Sequence, residues 1–318
     1  MPRANSYSDS TIRSFLTSAG IPTGGTVFYL DTVNGSDSND GKAPNKAFKT
    51  LIEAEGYLTA NKNDVLVQIA GATAASTSTT GLDWDKNYTH YIGFCADVAA
   101  GKRARVTASS TSVVASMFTV SASGCIFRNL QFFYGVASAA AKYAVKVTGQ
   151  RNEFTNCQIS GIGDATQDVS GACSLYLNGA DECTFKDCYI GLNTIARGTA
   201  VNSEILVDST ALRNHFKNCF LTAMIEADTH TFVTLSGTSA IGSEMVFDNC
   251  VFNSQSVNHG ITMASAFTIP ANHTTAYIIL RNCGTTEITA WDAATRGHTF
   301  IIDGTTSADS SSGFAAKI

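Results

Sequence analysis

Three groups of residues have types and spacing that could do chemistry. The stretch 34–41 holds Asp37, Asn39 and Asp40, oxygen donors of the kind a hard cation takes. Its spacing differs from an EF-hand loop, and tight turns choose the same residues for backbone reasons, so a turn is expected. Asp164 and Asp168 lie in the glycine-bounded stretch 161–171 and could form the carboxylate pair of a glycoside hydrolase. No matching pair recurs one repeat later, although Glu226 and Asp228 come near, and two acids in such a loop are expected to be solvated. His230 beside Glu226 and Asp228 is the best histidine–acid grouping, but it falls at a strand start, where an exposed imidazole is common. The nine cysteines contain no Cys-x-x-Cys pair, which argues against zinc. A Gly-x-Ser-x-Gly turn, a phosphate-binding loop and His-Glu-x-x-His are all missing. The sequence therefore assigns no catalytic, cofactor-binding or metal-binding residue, and no cofactor is expected.

The elements that carry these residues announce themselves by repetition. An apolar residue, any residue, Asn or Asp, then usually Cys recurs as Phe127-Arg-Asn129-Leu130, Phe154-Thr-Asn156-Cys157, Phe185-Lys-Asp187-Cys188, Phe216-Lys-Asn218-Cys219, Phe247-Asp-Asn249-Cys250 and Leu280-Arg-Asn282-Cys283. The steps are 27, 31, 31, 31 and 33 residues. An apolar residue usually follows two places after the Cys: Ile159, Ile190, Leu221 and Phe252. Each copy reads as a strand with alternating sides, and a fixed period of this length marks a solenoid or an array. The units lack the 3.6-residue periodicity of paired helices, are shorter than propeller blades and lack regularly spaced leucines. A parallel coil satisfies the pattern. Equivalent residues then stack about 4.8 Å apart as Phe, Asn and Cys ladders, with the rings inside and amides bonding from turn to turn. Less regular strands at 65–70, 91–95, 104–107 and 117–120 extend the coil toward the N-terminus, and 298–302 supplies a last one.

The predicted fold class is all-β: a single-stranded right-handed parallel β-helix, a solenoid, with a short N-terminal capping helix. Residues 1–25 form the arm and capping helix, and residues 26–318 form the coil and a C-terminal tail. Ile12, Phe15, Leu16 and Ala19 share one helical face, Gly20 suits the position after the helix, and Pro22 cannot continue it. A second short helix is expected over 46–58, with Leu51, Ile52 and Leu58 turned inward. The tail, with Ser at 307 and 310–312 and then Phe314 and Ile318, either caps the last rung or docks on a neighbour.

Composition narrows the partners. Charged residues make up 15% and the net charge is -5, with no basic run, which excludes a polyanion such as nucleic acid. No apolar stretch approaches the roughly 20 residues of a membrane span, so no membrane partner is expected. The opening residues lack the apolar core of a secretory signal. Nine cysteines in an unexported chain are expected to be reduced, and glycosylation-like triplets at Asn34, Asn87 and Asn272 are read as chance.

The segment Phe28-Tyr-Leu-Asp-Thr-Val-Asn-Gly-Ser-Asp-Ser-Asn-Asp-Gly41, followed by Ala43-Pro-Asn-Lys-Ala-Phe-Lys-Thr-Leu51, resembles the opening of pectate-lyase-like β-helix proteins. That resemblance covers about thirty residues and the rung pattern after them. It implies the fold and leaves the activity open, because its bearers include polysaccharide lyases, other sugar-acting enzymes, and phage tail and capsid components. A lyase of this kind would carry several carboxylates at a calcium site beside a Lys or Arg base. Asn258-His259-Gly260 is similar to the Gly-His-Gly of polygalacturonases, but the paired aspartates and Arg-Ile-Lys are absent. Among members of the superfamily the chain most resembles bacteriophage virion components. That resemblance implies a non-catalytic structural protein of the virion, a capsid decoration (cement) protein assembled in the host cytoplasm. Its partners would then be other copies of itself in a homotrimer, phage capsid or tail proteins, and a host surface glycan. The alternatives are a tail-spike type depolymerase or lyase and a carbohydrate-binding module.

Overall fold

The computed structural model describes residues 8–109, 113–236, 242–257, 260–270, 277–292 and 299–302, the last of these by backbone alone. Three parallel sheets run the length of a right-handed coil, with ten, eight and eight strands among the described residues. The chain visits them in rotation. Phe154 lies in the first sheet (Glu153–Thr155), Ile159 in the second (Gln158–Ser160), and Leu175 in the third (Cys173–Asn178). Each strand pairs with its equivalents one repeat away, as Phe154 does with Phe127 below and Phe185 above.

The aromatic ladder stands inside as the spacing requires. Ring centres of Phe127, Phe154, Phe185, Phe216 and Phe247 follow one another at 4.7, 5.0, 4.7 and 4.7 Å, with planes within 15° of parallel. All five are closed to solvent, and each buried ring stabilises the coil by about 1.5–3 kcal/mol. Cys157, Cys188, Cys219, Cys250 and Cys283 form a second column, and all nine cysteines are free. Each ladder thiol donates to the carbonyl of the ladder Phe one rung below: Cys188 Sγ to Phe154 O at 3.3 Å, Cys219 Sγ to Phe185 O at 3.3 Å. The two columns are thus bonded to each other, beyond the inert packing expected of a small hydrophobe.

The repeat pattern is two strands and a corner, where the sequence suggests one strand. Asn129, Asn156, Asp187, Asn218, Asn249 and Asn282 all have φ between 50° and 58°, the left-handed region. Asn and Asp visit that region more readily than other side-chain-bearing residues. This bend throws Phe onto the first sheet and the later Ile, Leu or Phe onto the second. The amide ladder is present across it: Asn156 Nδ2 donates to Asn129 Oδ1 at 3.0 Å, Asn218 Nδ2 to Asp187 Oδ1 at 2.9 Å, and Asn249 Nδ2 to Asn218 Oδ1 at 2.9 Å.

The N-terminal helix, Asp9–Ser18, starts at a Ser8 cap and ends at Gly20, whose φ of 71° only glycine adopts without cost. It lies on the side of the coil and does not plug its end. Ile12 and Leu16 pack with Val27, Tyr29, Val65, Val67 and Ile92, the outward residues of the first strands, while Phe28, Leu30 and Leu66 face inward. The strand Val65–Ile69 is consequently buried on both faces. The open end is closed instead by a 3-10 turn, Pro44–Lys46, and the helix Leu51–Gly56. Their Phe48, Leu51, Ala54 and Leu58 join the main core. Ile52 is 44% exposed, contrary to the inward position expected, because Ala54 takes the core-facing place between Leu51 and Leu58.

Candidate functional site

The first sequence candidate resolves into turn chemistry. Asp37 Oδ1 accepts the backbone N–H groups of Lys49 at 2.8 Å and Thr50 at 2.9 Å. Asn39 Nδ2 donates to Ala47 O, and Asp40 Oδ1 accepts from Lys42 N–H. Asp37 and Asn39 fasten the turn to the end plug, and Asp40 closes the turn on itself. Among the described residues no cluster of three or more His, Cys, Asp or Glu is arranged to hold a metal.

Asp164 and Asp168 also work locally. Asp164 caps the short 3-10 turn Ala165–Gln167, its carboxylate taking Thr166 N–H at 2.9 Å while Gln167 reaches back to the Asp164 N–H. Asp168 accepts Asn202 Nδ2 at 2.6 Å and Gly198 N–H at 2.9 Å. Glu226 and Asp228 stand exposed. Asn258 and His259 lie outside the described residues, as do Asn272 and the C-terminal tail from 303 onward.

His230 is the surprise: it is fully buried and turned away from Glu226 and Asp228. Its Nδ1 is 2.5 Å from Asn202 Oδ1. A carboxamide oxygen only accepts, so Nδ1 carries the proton and donates. Its Nε2 faces Glu204 Oε1 at 3.5 Å. Glu204 is the outward residue of a third-sheet strand, Ser203–Asp208, stacked on Ser174 one rung below. Ser174 Oγ donates to Glu204 Oε2 at 2.5 Å, and Arg197 Nη2 donates to Oε1 at 3.0 Å. The guanidinium also bonds the carbonyls of Ile195, Ile162 and Leu192.

One irregularity seals this cluster. In the strand Tyr189–Arg197 the pairing jumps between Leu192 and Ala196, so residues 193–195 bulge from the sheet and Arg197 folds in over Glu204. Gly191 leaves the room, since a Cβ there would lie 2.9 Å from the Glu204 carboxyl carbon. Burial raises the Glu204 pKa against the pull of Arg197 and Ser174. Burial, helped by Arg197, holds His230 well below the usual imidazole value. The sequence gives one sign of this site: Glu204 directly precedes Ile205-Leu206-Val207, whose Ile205 and Val207 face the core, and Arg197 ends another strand.

No family model matches the chain, and no curated protein matches it. Solved structures do. Pectin methylesterase PemA from Erwinia chrysanthemi is similar at a TM-score of 0.56 and 17% identity, over 87% of this chain and 80% of that one. Pectate lyase Pel9A gives 0.58 and 14%, over 84% of this chain and 64% of that one. The pectin methylesterase from Aspergillus niger gives 0.52 and 15%, over 93% and 92%. These neighbours are polysaccharide-acting enzymes. At such identities the likeness is one of fold, the right-handed parallel β-helix.

Proposed function

We propose that the chain is a non-catalytic structural protein of a bacteriophage particle, a decoration protein of the capsid shell working as a homotrimer of coils. The observation that carries the non-catalytic half is the enclosure of Arg197, Glu204 and His230. This acid–base cluster is closed to solvent: Glu204 is held by Arg197 and Ser174, and His230 by Asn202. Such a cluster holds rungs together and presents nothing to a substrate. The particle half rests on the resemblance to virion components of the superfamily and on the ladders, which make a stiff rod suited to a shell or a spike. Mass spectrometry and immunogold labelling of density-banded phage particles test it. The chain is expected in the band and on the shell, with light scattering giving three copies; a chain that stays in the soluble lysate overturns the reading.

A second reading is a tail-spike type depolymerase or lyase, favoured by the polysaccharide-acting fold neighbours. A glycan-degradation screen with the purified chain separates the two. Release of reducing ends or unsaturated products favours the enzyme.

A further inference from the structure

At the corner that follows Glu153–Thr155, a loop of residues 95–103 folds over the amide ladder. It is held at both ends: Asn129 Nδ2 donates to Cys95 O at 3.1 Å, and Gly101 N–H donates to Gln158 Oε1 at 2.7 Å. Gly101 has a φ of 73°, which glycine takes at no steric cost. Beside these anchors three functional groups meet. Lys102 is buried, and its Nζ donates to Asn156 Oδ1 at 3.0 Å and to Val98 O. Asn156 Nδ2 donates to Asp97 Oδ1 and, at 3.0 Å, to Asn129 Oδ1. One carboxamide thus has an amine at its oxygen and a carboxylate at its nitrogen.

We propose that Lys102 and Asn156 join in an intramolecular isopeptide bond, with Asp97 carrying the proton. The two bonds from Nζ use the two hydrogens of a neutral amine, whose lone pair stays free for attack; a third proton has no acceptor among the described residues. Burial pushes the Lys102 amine below its usual value, against the pull of Cys157, Cys95, Asp97 and Cys188, and so favours the neutral form. The carbon to be attacked lies one C=O bond, about 1.23 Å, beyond the oxygen that Nζ already touches. In the step, the Nζ lone pair forms a bond to Asn156 Cγ, and the Cγ–Nδ2 bond breaks. Asp97 takes the proton that Nζ sheds and passes it to Nδ2, which leaves as ammonia. One amide replaces another, so no oxidant or reductant enters. The product ties together two positions 54 residues apart along the chain and spans two rungs, from His90–Phe94 to Glu153–Thr155. The bond is internal to the chain and independent of the particle role.

Mass spectrometry of the full chain, purified, aged to constant mass and then denatured, tests it. The intact chain is expected to be lighter than its sequence by one ammonia. A tryptic map should hold the Lys102 and Asn156 peptides as one branched species, with no cut after Lys102. Asn156→Ala should keep its sequence mass. Asp97→Ala, at an exposed position, should lose ammonia roughly a hundredfold more slowly. The parent chain gives the deciding reading, so a poorly folded variant does not blunt the test. An unchanged parent mass, ammonia loss without the branched peptide (as a succinimide would give), or equal rates in the parent and a folded Asp97→Ala each overturns the assignment.

Discussion

Glu204 Oε1 receives Arg197 Nη2 at 3.0 Å in a space that admits no solvent to either side chain. Two charges so placed are held by each other, and the carbonyls of Ile162, Leu192 and Ile195 accept from the two Nη groups of the guanidinium. Removing one partner strands the other. Glu204→Ala should therefore cost about 3–5 kcal/mol, read as a lowered urea midpoint. The double variant Arg197→Met/Glu204→Leu should recover most of that loss, because two apolar side chains remove both desolvation penalties together. A Glu204→Ala chain as stable as the parent would mean that solvent reaches the carboxylate.

Acid should weaken the fold through His90. Its Nδ1 accepts Ile126 N–H at 3.1 Å, so the proton sits on Nε2, 3.3 Å from Asn63 Oδ1. Burial lowers its pKa to about 4. An unfolded histidine titrates near 6.5, so below that pH the unfolded chain binds the extra proton. The stability from neutral His90 is fully present above pH about 6.5 and is lost progressively as pH falls toward about 4. Urea midpoints at pH 7.5, 5.5 and 4.5 should fall in that order, and His90→Leu should flatten the decline. A parallel decline in both chains would put the effect elsewhere.

Truncating the middle of the aromatic ladder leaves a void between two rings. Phe185 lies 5.0 Å from Phe154 and 4.7 Å from Phe216, all three fully buried. Phe185→Ala should cost about 3–5 kcal/mol and Phe185→Leu distinctly less. Thermal melts of the three chains check the order.

Position 218 should prefer glycine to alanine. Asn218 has φ 53°, a conformation that costs most side chains about 1–2 kcal/mol and glycine almost nothing. Both replacements lose the bonds to Asp187 and Asn249, so the difference between Asn218→Ala and Asn218→Gly isolates the backbone contribution. Equal midpoints would count against a strained corner.

Eight of the nine cysteines are buried, and only Cys95 is half-exposed. A thiol reagent such as DTNB should find at most one fast-reacting group in the folded chain and nine in denaturant. Several fast thiols in the native state would contradict the sealed column.

The ladders were legible because a solenoid writes the same environment once per turn: Phe154, Phe185 and Phe216 are one position read three times. The corner was hidden. Phe-x-Asn-Cys-x-Ile alternates as well along a straight strand as around a left-handed bend, and nothing local distinguishes the two. The exposure of Ile52 is not legible because a helix of six residues, Leu51–Gly56, is too short to show its phase. The buried cluster was hidden for a longer-range reason. His230 and Glu204 are enclosed by a bulge at 193–195 and by Arg197, which act across rungs, whereas the visible neighbours Glu226 and Asp228 are near only along the chain.

The helix Asp9–Ser18 has a geometric consequence for any bundle of coils. By occupying the flank at Val27, Val65 and Ile92, it takes the lower part of the first sheet out of use for lateral contact. Neighbouring rods that pack in parallel must touch through the other two flanks or higher up, and a bundle closed on the lower first flank would first have to peel the helix away.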